Sequence, residues 1–413
     1  MPNNQTVPDT GPSRRRMLRL SGGGLALAAL GAGASGCRED VPDDPDTGDG
    51  ADQPGSADPS GGVSREDGQA PTPLWTRTTS ATTYGNNDEL VAVDDVVITS
   101  GDPLTALDTK TGEPKWSQQD GAIPGAPLLL GNNTLYLASS KYDGTVGGYE
   151  PASGKEVWRS RLDKAYRQPR PVAVDGQQVY VVAEILEADG SSHTNVIAAL
   201  DSGTGKVAWR EQRDPGTEQN GIHAAVQGRH LVYTDFRKNL TVRDTVTGRQ
   251  VWTRKTTQTN WVSFAVHQDL VIVPQGRKLQ AFRLSDGSEK WSVETEAHGS
   301  FKVPAVVEGV LHVADSGKTL RALEPQTGRE IWQSTALADA GVHEPWQFVK
   351  AGGTLYGATQ LDEGGGVHAI DAKTGELLWT FNDKSGDHHA WLVATDGKRV
   401  FALHGQKLHA LPA

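Results

Sequence analysis

The 413-residue chain contains one cysteine, Cys37, and two methionines. A single cysteine excludes a disulfide framework within the chain. It also excludes a Cys-x-x-Cys-His haem attachment, an iron–sulfur cluster held by this chain alone and any zinc site built from several cysteines. Cations are short as well: 40 Lys and Arg stand against 51 Asp and Glu, for a net charge of -11. Phosphate binding needs clustered Lys and Arg, so this balance argues against nucleic acid as the main partner. Hydrophobic residues reach only 36%, little for a large three-layer α/β enzyme but enough for an all-β chain with half-exposed strands. The longest weakly apolar run, Leu20 to Gly36, is marginal for crossing a bilayer. The body shows no sustained helical periodicity with capping signals. It has no P-loop, no Gly-x-Ser-x-Gly elbow and no His-Glu-x-x-His.

The N-terminal region reads as an address and a spacer. Ser13-Arg14-Arg15-Arg16-Met17-Leu18 precedes the Gly/Ala-rich run. A basic start, a short apolar middle and small residues before a cut site describe an export signal. Arg14 and Arg15 resemble the pair of a twin-arginine signal. Ala34-Ser35-Gly36-Cys37 resembles a bacterial lipobox, which implies that Cys37 becomes the lipid-bearing N-terminus. Residues 1–37 are therefore expected to be a lipoprotein signal. Gly31, Gly33 and Gly36 match Gly-x-Gly-x-x-Gly, but a dinucleotide site needs a strand before and a helix after, and an export segment supplies neither. Residues 38–72 hold ten acidic side chains and almost no large apolar one. They cannot bury enough surface to offset their ordering entropy, and a disordered linker is expected there.

Residues 73–413 repeat. Seven segments align without gaps, running from Ala106, Gly148, Ala199, Val242, Ala281, Ala322 and Ala369 to Trp116, Trp158, Trp209, Trp252, Trp291, Trp332 and Trp379. Each carries a glycine four residues before its tryptophan: Gly112, Gly154, Gly205, Gly248, Gly287, Gly328 and Gly375. Trp75 stands alone upstream. Periods of about 40–50 residues signal propellers or solenoids. The glycine supplies positive φ for a hairpin, and the indole can fill a seam between units. Two further strand-like runs lie upstream of each segment, so each unit makes about four antiparallel strands, a propeller blade. After Trp379 only three strands remain, at 390–395, 400–405 and 408–413. Trp75 lies on a lone strand. Pairing the termini completes an eighth blade and removes both edges. Seven blades with a stray end, or an open solenoid, leave these complementary ends unused.

The segments resemble the PQQ (pyrroloquinoline-quinone)-type propeller repeat, Ala-x-Asp-x-x-Thr-Gly-x-x-x-Trp, over the whole body. The resemblance implies an all-β, eight-bladed propeller. It implies one of two functional branches: quinoprotein dehydrogenases, or cofactor-free binding propellers such as the BamB-like lipoproteins. The dehydrogenases are typically longer and many carry an adjacent cysteine pair and a calcium, whereas this chain has one cysteine and short loops. No cofactor is therefore expected, PQQ with calcium included. The repeat itself specifies turn and seam geometry and not catalysis.

Functional side chains are expected where blades differ, in the crossovers that ring the channel mouth. Just before each inner strand come Ile123 and Pro124, Arg167 and Arg170, Asn220 and His223, and Asn260 and Trp261. Then come His298 and Phe301, His343 and Trp346, and His388, His389 and Trp391. Two roles are open to these aromatics: a lopsided recognition patch, or a plug that packs the blade tops. Exposure decides between them. Asp387-His388-His389 suggests a metal, but neighbours on an extended stretch point to opposite sides. A site would need His343 or Glu344 to converge with one ring. No catalytic or metal residue is assigned. The expectation is an exported, lipid-anchored, monomeric propeller that binds an envelope or exported protein. A PQQ-dependent dehydrogenase and a small-molecule-sensing propeller are the alternatives.

Overall fold

The computed structural model describes residues 68–81, 90–123, 127–139, 144–162, 166–185, 194–212, 222–235, 238–257, 264–296, 299–360 and 364–413. Eight four-stranded antiparallel sheets follow one another around a ring. Blades 1 to 7 run through residues 90–118, 129–161, 166–212, 224–255, 265–294, 305–334 and 345–381, each from innermost to outermost strand. Blade 8 takes three strands from the C-terminus, Trp391–Thr395, Arg399–His404 and Lys407–Pro412, and its outermost strand, Trp75–Thr78, from the other end of the chain. Trp75 pairs with Ala410 and Thr78 with Lys407. Innermost strands of blades 8 and 1 also touch, which closes the ring. Among the described residues the single helix is the short Ala336–Asp339.

The repeat residues set the geometry of every blade. The small residue at the motif's start faces the tryptophan across the ladder, as in Ala106 with Trp116 and Ala369 with Trp379. Where that residue is Gly148, even a Cβ would meet Trp158 at 2.8 Å. One residue later the register slips by one, a β-bulge repeated in all seven complete motifs. A bulge tightens the local twist and re-aims the side chains beyond it. The acidic turn residue accepts backbone N–H groups: Asp371 Oδ1 takes Lys373 N at 2.8 Å and Thr374 N at 2.9 Å. These bonds hold the Asp371 carboxyl below its usual range.

The core is a set of seams, not one central mass. Eight apolar clusters join consecutive blades, including one that joins blade 8 to blade 1 and also takes in Trp346 of blade 7. Strand side chains alternate between the two faces of a blade, and here both faces are seams. Trp391 and Val393 thus enter the seam with blade 7, while Leu392 and Ala394 enter the seam with blade 1. Seven of the eight blade indoles, all but Trp379, lie against the turn glycine of the next blade. A Cβ on any of the seven glycines would approach the preceding tryptophan ring to 2.5–3.0 Å. Each of those seven indoles also donates Nε1–H to a carbonyl in that next turn, at 2.7–3.2 Å.

Residues on the N-terminal side of the expected boundary at residue 73 also touch the propeller. Gly68 forms a parallel bridge with Trp379, and Ala70 packs on the cluster between blades 7 and 8. The reason lies in the split blade. Its turn is cut between Ala413 and Pro73, so no turn glycine reaches Trp379, and the segment from Gly68 lies there instead.

Candidate functional site

The expected recognition residues divide by burial. Trp391 is 0% exposed, Phe301 2%, Trp346 4% and His223 8%. These four side chains therefore belong to the seams and not to an open aromatic face, which corrects the patch reading for them. The cause is register. Trp391 opens the innermost strand of blade 8 and does not precede it. It stacks on His404 at 4.2 Å and meets Phe381 edge-on at 5.9 Å. Trp346 sits at a register slip in Pro345–Ala351 and donates Nε1–H to the Trp391 carbonyl at 3.2 Å. Phe301 bridges Asp315 and joins the seam of blades 5 and 6. His223 lies edge-on to Phe264 at 4.6 Å.

The polar members stay nearer solvent. His343, His388 and His389 are exposed and Arg170 is half-buried. The backbone of Arg167 pairs with Glu184. Trp261, His298, Asn220, Asn260, Pro124, Cys37, Arg14 and Arg15 lie outside the described residues. His389 pairs with Asp387. Glu344 is taken up by Lys302 at 2.8 Å, and the His343 carbonyl accepts Nε2–H of buried His368 at 2.9 Å. Glu344 therefore does not turn to the histidines, and among the described residues no group of three or more His, Cys, Asp or Glu side chains is arranged to hold a metal ion. What remains at the crossovers of blades 7 and 8 is a polar, histidine-bearing surface on a rigid apolar base.

Beneath it lies a network that sequence reading missed. Asp383, His404 and His409 have side chains 4%, 2% and 6% exposed. His404 donates Nδ1–H to Asp383 Oδ1 at 3.1 Å, and His409 Nε2 stands 3.7 Å from Oδ2. The Nε2 atoms of both rings and the indole Nε1 of Trp391 are buried without a hydrogen-bond partner. Burial raises the Asp383 carboxyl, but bonds from Ser385 and His404 outweigh it and the net shift is downward. Burial pushes His409 down against the pull of Asp383. Burial and the Asp383 carboxyl thus act on His409 in opposite directions, and burial is the larger effect. Its members sit on a loop and two strands with no shared period, so spacing offered no signal.

A second interior histidine has a measurable consequence. His312 is 2% exposed between Trp332 and Phe348, with Nδ1 unpartnered. Burial, aided by nearby Lys350, pushes it down to about 4. The unfolded chain binds this proton near pH 6.5 and the folded chain does not. The neutral ring's contribution is therefore complete above that pH and lost as pH falls toward 4. The loss is about 2 kcal/mol at pH 5 and about 3 at pH 4. Urea midpoints of the parent and His312→Leu, taken from pH 7 to 4, are expected to show a flatter pH dependence in the variant. Parallel curves would show that His312 does not carry the effect.

Comparison with known proteins adds family context. The family model described as "Outer membrane protein assembly factor BamB" matches residues 129–220 and 193–356. A tetrathionate hydrolase of Acidithiobacillus ferrooxidans is 23% identical over 299 residues, 66% of this chain and 56% of that protein. The BamB of Vibrio cholerae is 30% identical over 152 residues, 34% of this chain and 37% of that protein. The chain thus spans about half, or less, of the curated relatives it matches. The crystal structure of BamB from Moraxella catarrhalis superposes with a TM-score of 0.54 at 16% identity, covering 83% of this chain and all of that one. This last likeness concerns fold. The relatives' names include both an enzyme and an assembly factor.

Proposed function

The chain belongs to the PQQ-repeat propeller family whose model bears the BamB description, and from that premise we propose that it is a non-catalytic binding propeller of the cell envelope. In this reading Cys37 carries lipid, residues 38–67 set the reach, and the propeller offers a rigid surface to an envelope or exported protein. The observation that carries the reading is the match to the BamB model from blade 2 into the start of blade 7. The frame itself supports it. Seams and a closed ring fix the crossover segments 335–344 and 382–390, so little ordering entropy is lost on contact there. His343, His388 and His389 are the exposed polar anchors of that surface, and no step of bond making is assigned to them.

Two measurements test this. Cys37→Ala is expected to move the protein from the membrane fraction to the soluble fraction, and an unchanged distribution would remove the lipid anchor from the reading. Photo-crosslinkers placed at His343 and His388 in the full chain are expected to trap a discrete protein. If they trap none, and PQQ with calcium instead raises the thermal midpoint saturably, the dehydrogenase alternative takes its place. A ligand confined to the folded state adds about 2.7 kcal/mol at 100 times its dissociation constant.

A further inference from the structure

Two crossovers carry the exposed histidines, 335–344 and 382–390. The first has a backbone frame of its own: in its short helix Asp339 N–H bonds the Thr335 carbonyl and Ala340 N–H that of Ala336. The second has none. Among the described residues, 383–389 make no backbone–backbone hydrogen bond. Backbone donors left over in a loop need other partners, and here side chains supply them. Asn382 Oδ1 accepts Lys384 N–H at 2.7 Å, and Asp383 Oδ1 accepts Ser385 N–H at 3.0 Å. Ser385 Oγ accepts Asp387 N–H at 3.3 Å, and Asp387 Oδ1 accepts His389 N–H at 3.1 Å. A side-chain oxygen that holds the N–H two residues on is a local habit of Asp, Asn and Ser. Three such turns run end to end from Asp383 to His389.

The two ends of this ladder differ in depth. The Asp383 side chain is 4% exposed and the His389 side chain 51%. The buried end is fastened to blade 8 by His404, whose Nδ1 lies 3.1 Å from Asp383 Oδ1 and 3.3 Å from Ser385 Oγ. The outer end rests on the turn after His404, where a Cβ on Gly405 would stand 2.6 Å from Asp387 Oδ2. Between them Lys384 is held at φ +56°, a left-handed conformation that a lysine keeps only where its surroundings over-determine it. We infer that buried Asp383 fixes the course of crossover 382–390 and so positions His388 and His389 on the recognition surface. Asp383 is a positioning residue, acting through Ser385 and Asp387. Its effect on recognition rests on the protein-binding reading, whereas its hold on the crossover does not.

The test uses the full chain and compares Asp383→Asn, which keeps an acceptor oxygen, with Asp383→Leu, which does not. Asp383→Leu is expected to speed amide exchange at 385–389 about ten-fold, the scale of one hydrogen bond to a charged group. Exchange at 337–343 should stay at the parental rate. Asp383→Asn should fall between parent and Asp383→Leu, because a neutral acceptor keeps about half the strength of a charged one. Ser385 is exposed, so Ser385→Ala leaves the seam packed and decides the matter if Asp383→Leu does not fold. It is expected to speed exchange at 387–389 and spare 385. With the photo-crosslinker at His388, Asp383→Leu is expected to lower the trapped yield about ten-fold, since only the fraction in the binding conformation is competent. The yield from His343 should not change. Parental exchange at 385–389 in Asp383→Leu, equal exchange in the Asn and Leu variants, or parental exchange at 387–389 in Ser385→Ala would each overturn the inference. Faster exchange with an unchanged yield from His388 would overturn the link to recognition. If neither position traps a protein in the parent, the protein-binding reading falls and the exchange rates alone judge Asp383.

Discussion

A chain lacking residues 1–80 is expected to lose at least about 4 kcal/mol and to self-associate. The deletion removes Trp75–Thr78, which pairs along Lys407–Pro412 from Trp75 with Ala410 to Thr78 with Lys407. It removes an indole that is 8% exposed, packs 5.9 Å from Phe401 and donates to the Thr109 carbonyl at 3.2 Å. Emptying a site of that size costs about 3–5 kcal/mol, and the stranded carbonyl adds about 1–3 more. The strand Lys407–Pro412 would also become an open edge, which favours aggregation. Denaturant midpoints and size-exclusion profiles report both effects. The informative control moves the strand: residues 74–79 appended after Ala413 through a turn copied from Asp371–Glu376 should restore the midpoint. An unchanged midpoint on deletion, or no rescue on transfer, would show that terminal pairing does not close the ring.

The second large effect belongs to the seam of blades 2 and 3. Trp158→Ala is expected to cost about 4–5 kcal/mol. The ring is 8% exposed, lies 5.9 Å from Tyr136 and donates Nε1–H to the Ser202 carbonyl at 2.8 Å. Truncation leaves a cavity and an unpaired acceptor together. The same seam is open to attack from its other side. Gly205 holds φ at +70°, and a Cβ there would stand 2.5 Å from Trp158 Cε3. Gly205→Ala therefore incurs about 1–2 kcal/mol for left-handed backbone and a further cost of about 1–3 for displacing the indole. Gly276→Ala separates the two: its φ is +67° and its Cβ would meet nothing within 4 Å, so only the backbone cost applies. Equal urea midpoints for the two alanine variants would show that the indole contact contributes nothing. Trp158→Ala combined with Gly205→Ala should fall short of additive, because the residues share one contact.

How far the sequence carried depends on whether a feature repeats. The glycines of the turns, the tryptophans and the small residues opposite them recur at one spacing, since every blade solves the same packing problem. Blade count and terminal closure followed from counting strands. Of the expected aromatic face, Phe301, Trp346 and Trp391 lie buried in seams. Trp346 and Trp391 lie near the crossovers in sequence, yet a one-residue difference in where a strand starts turns a side chain from the channel mouth into a seam. Asp383, His404 and His409 meet only because two neighbouring blades are apposed, and no spacing records that.

By itself the sequence determined the blade, the number of blades and the manner of closure, because those rest on local turn chemistry and on a period of two along each strand. The tertiary structure alone decided which side chains reach water. In a propeller both faces of every blade are covered by its neighbours, so exposure is a property of the ring and not of any strand. It also decided that the segment from Gly68 belongs to the body. The cut in blade 8 leaves Trp379 without a turn to rest on, and only the closed ring brings the other end of the chain to that place.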